Sequence, residues 1–218
     1  MNKLKEFTVS TARPLPVIVL ADISGSMSID GKIEALNQAI REMLDTFRDE
    51  DDLRAEIHVS VITFGGDEAR EHLPLAPAAK ASWMDMPAAG NTPLGKALNT
   101  AMQLIENKER IPSRAYRPTL VLVSDGQPND EWKAVLEALL KSERGGKAFR
   151  MAMAIGADAD IDVLQAFLAN GESRVFKADE ARKIRTFFRM VTMSVTSRSR
   201  SANPNVAPAP PDEEDWDL

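Results

Sequence analysis

Four apolar runs of β-strand length constrain the fold of this chain more than any other feature. They are 17–21 (VIVLA), 57–64 (IHVSVITF), 119–124 (TLVLVS) and 148–155 (AFRMAMAI). Runs this apolar suit strands that are covered on both faces, as in a parallel sheet. Because one-sided strands would alternate apolar and polar residues, these runs indicate a sheet sandwiched between two other layers.

The stretches around these runs repeat apolar residues at helical spacing, which is typical of helices that pack one face against a core. The repeats cover 33–47, 94–105, 132–140 and 184–191. Strands that alternate with helices form right-handed crossover units. We therefore predict an α/β fold with a doubly wound, mostly parallel central sheet flanked by helices.

Composition excludes several classes of function. The chain has no cysteine, so disulfides, zinc–thiolate sites and cysteine nucleophiles are excluded. Its net charge of −6 argues against a general nucleic-acid binder, since such proteins present a basic face. No apolar run approaches the ~20 residues that cross a bilayer, and the polar start MNKLKEF has no secretory h-region. We expect a cytoplasmic protein without nucleic-acid or membrane partners.

The composition changes after about residue 195. Residues 196–218 are rich in Ser, Pro and Ala and end in DEEDWDL. This segment lacks the periodic apolar residues that offset the entropy of ordering, so we expect a domain over 1–195 and a disordered acidic tail over 196–218. A second hypothesis is that an acidic residue of 212–217 docks on a partner, or on the metal site of another copy of the chain.

Oxygen-bearing side chains follow two of the apolar runs. Asp22, Ser24 and Ser26 come directly after the first run, and Asp125 follows the third. Alternate residues of an extended loop point the same way, with Gly25 permitting a tight path. Ligands of open parallel sheets bind outside the carboxyl ends of the strands. If these two strands are neighbours, the side chains face one point.

A further oxygen comes from GNTPLGKAL, where Thr92 lies just before a predicted helix. Two carboxylates in a half-buried site repel each other, and a hard divalent cation neutralises both. Ligands that are all oxygen favour Mg²⁺, with Mn²⁺ or Ca²⁺ as alternatives, over zinc. We predict a metal site of Asp22, Ser24, Ser26, Thr92 and Asp125, with Asp125 binding directly or through a water.

The motifs DISGSM, GNTPLGKAL and LVSDGQPND resemble the von Willebrand factor A domain family over about 15–195. The resemblance implies a metal-ion-dependent adhesion site with the pattern D-x-S-x-S, a Thr and an Asp. It puts Asp22, Ser24, Ser26, Thr92 and Asp125 at the metal. It also implies a non-enzymatic module that binds an acidic residue of a partner protein through magnesium.

Within that family, four stretches are similar to the bacterial tellurium-resistance TerY group: RPLPVIVLADISGSM, ITFGGDEAR, GNTPLGKAL and YRPTLVLVSDGQPNDEW. This resemblance implies an intracellular stress-response or defence setting. It also implies a protein kinase and a PP2C-type phosphatase as partners.

Other chemistries fit the sequence less well. Residues 90–97 nearly match a P-loop, but Ala97 replaces the hydroxyl that binds magnesium. An aspartyl-nucleophile phosphatase needs a second acid two residues after Asp22, where the chain has Ser24. Two alternatives stay open: a magnesium-dependent phosphohydrolase, and a subunit of an ATPase machine.

Overall fold

A six-stranded sheet forms the centre of the computed structural model, which describes residues 12–50, 52–124, 127–157, 159–169 and 174–206. Its strands are β1 (Arg13–Asp22), β2 (Ala55–Gly65), β3 (Glu68–Pro77), β4 (Thr119–Ser124), β5 (Phe149–Ile155) and β6 (Phe176–Ala178). They lie in the order β3-β2-β1-β4-β5-β6. Every neighbouring pair is parallel except β2 with β3.

Helices cover both faces of the sheet. They are α1 (Lys32–Arg48), α2 (Leu94–Glu106), α3 (Trp132–Lys141), α4 (Ile161–Leu168) and α5 (Ala181–Arg200). Val17 and Val19 of β1 pack into the core under α1 and α5, whereas Ile18 and Leu20 pack under α2, α3 and α4. Successive residues of β1 therefore pack against apolar side chains on opposite faces of the sheet, which confirms the doubly wound fold. Within the described residues, no helix is both long and apolar enough to span a membrane.

The direction of the crossovers changes between β1 and β4. From β1 the chain crosses to β2 on one side, and the later strands β4, β5 and β6 extend the sheet on the other. β1 and β4 are parallel neighbours, as the placement of the site requires, so Asp22 and Ser124 end at the same edge. This carboxyl edge is the topological switch point, where open α/β sheets bind ligands.

The C-terminal part differs from the expected boundary at 195/196. Helix α5 continues to Arg200, and Arg198 is almost fully buried at 2% exposure. Residues 201–206 follow as a described segment, while 207–218 lie outside the described residues. The first part of the expected tail is thus packed on the domain.

Arg198 accounts for this packing. Its Nε donates to the carbonyl of Pro204 (2.8 Å), one Nη to Thr119 Oγ1 (2.5 Å) and the other to the carbonyl of Arg117 (2.6 Å). Its guanidinium carbon lies 4.1 Å from the centroid of the Phe149 ring. One side chain therefore joins α5 and the segment after it to the amino edge of the sheet, where β4 and β5 begin.

Candidate metal-binding site

Asp22 ends β1 as a fully buried carboxylate. The backbone N–H of Ser24 donates to its Oδ1 (2.8 Å), and Ser124 Oγ donates to its Oδ2 (2.6 Å). The pairing of β1 with β4 brings Ser124 alongside. Because both oxygens accept a hydrogen bond, the orientation of the carboxylate is fixed.

The hydroxyls of Ser24 and Ser26 come together beside this carboxylate. Their Oγ atoms lie 3.0 Å apart, with Ser24 buried and Ser26 half-buried. The chain enters a 3-10 turn over Gly25–Ser28 at this point, which directs both hydroxyls to the same side. The two hydroxyls therefore meet as expected, but through a 3-10 turn and not through the extended loop predicted from the sequence.

A second loop lies against the first and carries Thr92. The N–H of Ala89 donates to the carbonyl of Ile23 (2.7 Å), and the N–H of Gly25 donates to the carbonyl of Gly90 (2.9 Å). These two bonds hold the loops side by side. Thr92 is buried on this second loop, at 7% exposure.

The second loop also packs on the turn between β2 and β3. Gly90 has φ +73°, and a Cβ there would lie 2.4 Å from the Cα of Gly66. Asn91 Nδ2 donates to Asp67 Oδ1 (3.1 Å), and the Lys96 ammonium donates to the carbonyl of Asp67. Lys96, an exposed residue of the first turn of α2, therefore links this turn to the helix.

The position of Thr92 depends on two side chains that the sequence analysis missed. The N–H of Thr92 donates to Asn129 Oδ1 (3.1 Å), and the N–H of Asn129 donates to the Thr92 carbonyl (3.1 Å). Asp130 accepts from the N–H groups of Gly95 (2.8 Å) and Lys96 (3.1 Å) at the start of α2. The loop after β4 thus caps α2, and the polar pair in QPND is the signal that could have indicated it.

The structure brings together Asp22, Ser24 and Ser26, and it puts Thr92 on the adjoining loop. Asp125, the fifth predicted ligand, lies outside the described residues. No three His, Asp or Glu side chains cluster as potential ligands in the part of the chain that the structure describes. The described donors are one carboxylate and neutral hydroxyls, all of them oxygen, and this set fits a hard cation such as Mg²⁺.

Comparison with protein families gives one match over most of the chain. The von Willebrand factor type A domain family matches residues 17–189, which include both described site loops. No curated protein matches the sequence.

Solved structures share the fold at low sequence identity. A von Willebrand factor type A protein from Catenulispora acidiphila superimposes with a TM-score of 0.65 at 20% identity, covering 84% of this chain and 42% of its own. The pilus adhesin SpaC from Lactobacillus rhamnosus GG, in an open conformation, gives 0.67 at 15%, covering 85% and 30%.

Proximal thread matrix protein 1 from the mussel byssus, in a structure with a zinc-occupied MIDAS motif, gives a TM-score of 0.63 at 16% identity and covers 86% of this chain and 48% of its own. At these identities the likeness concerns the fold. The present chain spans less than half the length of each of these three relatives.

Proposed function

This chain belongs to the von Willebrand factor type A domain family, and we propose that it is a divalent-metal-dependent module that binds a carboxylate of a partner protein. Domains of this family mediate protein interactions through a metal. The observation that carries the proposal for this chain is the buried Asp22 carboxylate, whose neighbours Ser24 and Ser26 present paired hydroxyls at the switch point of the sheet.

In this proposal Asp22, Ser24, Ser26 and Thr92 hold the ion, and Asp125 holds it directly or through a water. A bound magnesium ion would supply a positive centre that accepts one further anionic ligand, because two carboxylates and three neutral hydroxyls do not saturate it with negative charge. Mn²⁺ or Ca²⁺ suits the same oxygen donors. The zinc in the mussel protein's MIDAS is a property of that protein.

The protein's own groups support binding more than catalysis. Ser124 and the N–H of Ser24 fix the Asp22 carboxylate before any ligand arrives, so little ordering accompanies binding. His58 pairs in register with Pro16, six residues before Asp22 and about 20 Å along the strand. His72 contacts the carbonyl of Met84. Neither histidine is arranged as a general base for the cluster.

For the biological setting we propose the TerY group, with a protein kinase and a PP2C-type phosphatase as partners inside the cell. What supports this is the likeness of GNTPLGKAL and YRPTLVLVSDGQPNDEW to that group, together with the family membership. The proposal predicts that the partner offers an exposed Asp or Glu to the metal.

Metal binding is tested by titrating MgCl₂ into wild type and into Ser24→Ala/Ser26→Ala by isothermal titration calorimetry. We expect the double variant to bind Mg²⁺ at least ~100-fold more weakly. Loss of a group that only hydrogen-bonds to a metal ligand already lowers metal affinity ~10–100-fold, and here two ligands are removed. Ser28→Ala is the matched control, because Ser28 is an exposed hydroxyl in the same turn that donates to the Gly25 carbonyl. Equal affinity of all three proteins would contradict the site assignment.

Partner binding is tested by affinity capture from an extract of the native host, with Mg²⁺ and with EDTA. We expect partners to be retained by wild type and Ser28→Ala with Mg²⁺ only, and a kinase or PP2C-type phosphatase among them supports the TerY setting. Recovery of ATPase subunits instead would favour the ATPase-machine alternative. Partners retained equally in every lane would contradict metal-dependent docking.

A further inference from the structure

Helix α5 carries a charge opposite to that of the whole chain. Its sequence, ARKIRTFFRMVTMSVTSRSR, has no Asp or Glu, although the net charge of the protein is −6. Its cations are Arg182, Lys183, Arg185, Arg189, Arg198 and Arg200. Apart from the buried Arg198, this basic charge faces outward and attracts anionic groups.

The C-terminal half of α5 exposes a mixed basic and apolar surface. Arg189, Met193, Ser197 and Arg200 recur at spacings of three and four, so they share one face, and we call them the α5 stripe. Met193 is 66% exposed, one of the most exposed large apolar side chains among the described residues. A shallow groove runs along the stripe between Met193 and Ser201.

The cations of the stripe are unequally neutralised. Arg200 is ion-paired with Glu50, and one turn before the stripe Arg185 is paired with Glu42 at 2.7 Å. Arg189 forms no direct ion pair within the described part of the chain, and it acts on Glu42, the partner of Arg185, only through longer-range attraction. An anionic segment on the stripe would therefore meet an available guanidinium next to an exposed thioether.

The chain itself continues into such a segment close to this surface. The N–H of Ser201 donates to the carbonyl of Arg198, Arg198 holds Pro204, and Val206 donates to the carbonyl of Asn203. Residue 206 therefore lies near the end of α5. The next twelve residues have no cation and place Trp216 among the carboxylates of Asp212, Glu213, Glu214, Asp215 and Asp217.

We propose that residues 207–218 fold back onto the α5 stripe of their own chain. The carboxylates of this segment pair with Arg189 and the outer side of Arg200, and Trp216 covers Met193. Arginine–carboxylate contacts and contacts between a methionine sulfur and an aromatic ring are both favourable. The proposal is independent of the metal site.

The available length favours this surface over the chain's own metal site. Arg189 lies eleven positions before Arg200, about 16 Å along the helix. The six residues from Val206 to Asp212 span up to ~20 Å, which is longer than the stripe, so the carboxylates can reach all of it. The metal site lies at the other end of α5, ~30 Å away, and on the opposite face of the sheet. Even Asp217 would need nearly full extension to reach it.

The absence of cysteine makes a direct test feasible, because one introduced thiol is labelled without background. A nitroxide on Leu218→Cys of the full chain reports its surroundings by broadening nearby backbone amide signals in NMR. We expect loss of the amide signals of 189–200 at low salt. We expect recovery in 0.5 M NaCl, where the screening length falls to ~4 Å.

Two variants and a control identify the contact. Neutralising the carboxylates of 212–217 to Asn and Gln, or reversing one charge with Arg189→Glu, is expected to restore the lost signals. Lys133→Glu, an exposed cation of α3 on the opposite face, is expected to change nothing. Equal broadening in wild type and Arg189→Glu would overturn the proposal.

Two further results would show that the segment binds elsewhere: broadening at a different place in the sequence, or broadening that arises between two copies of the chain. Broadening at 24–26 and 90–92 would place the segment on a metal site and overturn the proposal. Unlabelled ¹⁵N protein mixed with labelled ¹⁴N protein shows broadening only if the contact is between copies, and that result would also overturn it. Absence of localised broadening would mean that no docking occurs, while retained Mg²⁺ binding would leave the proposed function intact.

Discussion

A charged side chain is buried at each of the two edges of the sheet, Arg198 at the amino edge and Asp22 at the carboxyl edge, and the two differ in their hydrogen-bond partners. At the amino edge, Arg198 directs its guanidinium at two carbonyls and the hydroxyl of Thr119, and a ring covers its face. At the carboxyl edge, Asp22 accepts hydrogen bonds from an N–H and a hydroxyl, and the hydroxyls of Ser24 and Ser26 lie 3.0 Å apart beside it. The buried charge at the amino edge is therefore satisfied by the chain itself, whereas the carboxyl edge is where we propose that a cation binds.

The largest expected effect is at the amino edge. Arg198→Met removes three hydrogen bonds and leaves the carbonyls of Pro204 and Arg117 without this donor. Burial lowers the pKa of Arg198 to about 10, so the guanidinium is still charged at neutral pH. We expect a loss of ~3–5 kcal/mol in the free energy of unfolding, measured in urea, with Mg²⁺ affinity of the folded protein unchanged.

Arg200→Met is the matched control for this prediction. Arg200 lies two residues further along, and its exposed guanidinium forms one ion pair with Glu50, so we expect a smaller loss than for Arg198. Equal losses in the two variants would mean that the buried position of Arg198 has no special importance.

The next largest effect is expected at the carboxyl edge, where we propose that the Asp22 carboxylate binds Mg²⁺. At a Mg²⁺ concentration of ~100 times Kd, wild type should gain ~2.7 kcal/mol in the free energy of unfolding relative to EDTA. Asp22→Asn should gain nothing with Mg²⁺. It should stay within ~1 kcal/mol of wild type in EDTA, because the amide oxygen still accepts from Ser24 and the Ser124 hydroxyl can rotate to accept.

Urea unfolding with and without Mg²⁺ distinguishes these outcomes. A loss in EDTA as large as that of Arg198→Met would contradict the contrast between the edges. It would mean that Asp22 stabilises the fold as Arg198 does.

A smaller effect is expected from the contact that holds the two site loops. Gly90→Ala combines a positive φ with a Cβ that meets the Gly66 backbone, and we expect a loss of ~2 kcal/mol together with weaker Mg²⁺ binding. Gly66→Ala is the control, because its φ is +62° but a Cβ there would meet nothing within 4 Å. It should cost ~1 kcal/mol in thermal or urea unfolding, and identical losses would contradict the steric argument.

The parts of the fold that the sequence predicts are those buried on both sides. β1, β2, β4 and β5 appear as apolar runs because helices cover both their faces. β3 lies at the edge, only Leu73 of its residues is fully buried, and its pairing with β2 is irregular, so it shows no clear period. β6 has three residues and α4 eight, which is too short for periodicity to be distinctive.

The candidate site divides in the same way. The proximity of Asp22, Ser24 and Ser26 is predictable because they follow one strand within a few positions, although the 3-10 turn that contains Ser26 was not predicted. Asn129 reaches Thr92 across 37 positions, and no local pattern encodes such a contact. The predicted start of the tail at residue 196 was wrong for the same reason. The partners of Arg198 lie in β4 and in the loop before it, far away in the sequence.

The smallest expected effect concerns a second carboxylate, Asp52, which lies near the amino edge. A side-chain hydrogen bond from Arg54, assisted by the Arg54 N–H, lowers the pKa of Asp52 to about 2. Because the folded-state pKa is below the ordinary value of 3.8, the stabilisation is complete above about pH 4 and is lost as the pH falls towards 2.

Urea unfolding of wild type and Asp52→Asn from pH 7 to pH 2 measures this contribution. The difference should be below ~1 kcal/mol at pH 7 and vanish near pH 2. A difference that does not change with pH would mean that the variant acts through packing. The expected pH dependence would instead sharpen the contrast with Asp22: the Asp52 carboxylate is already satisfied by a cation of its own chain, so it has no need of a metal.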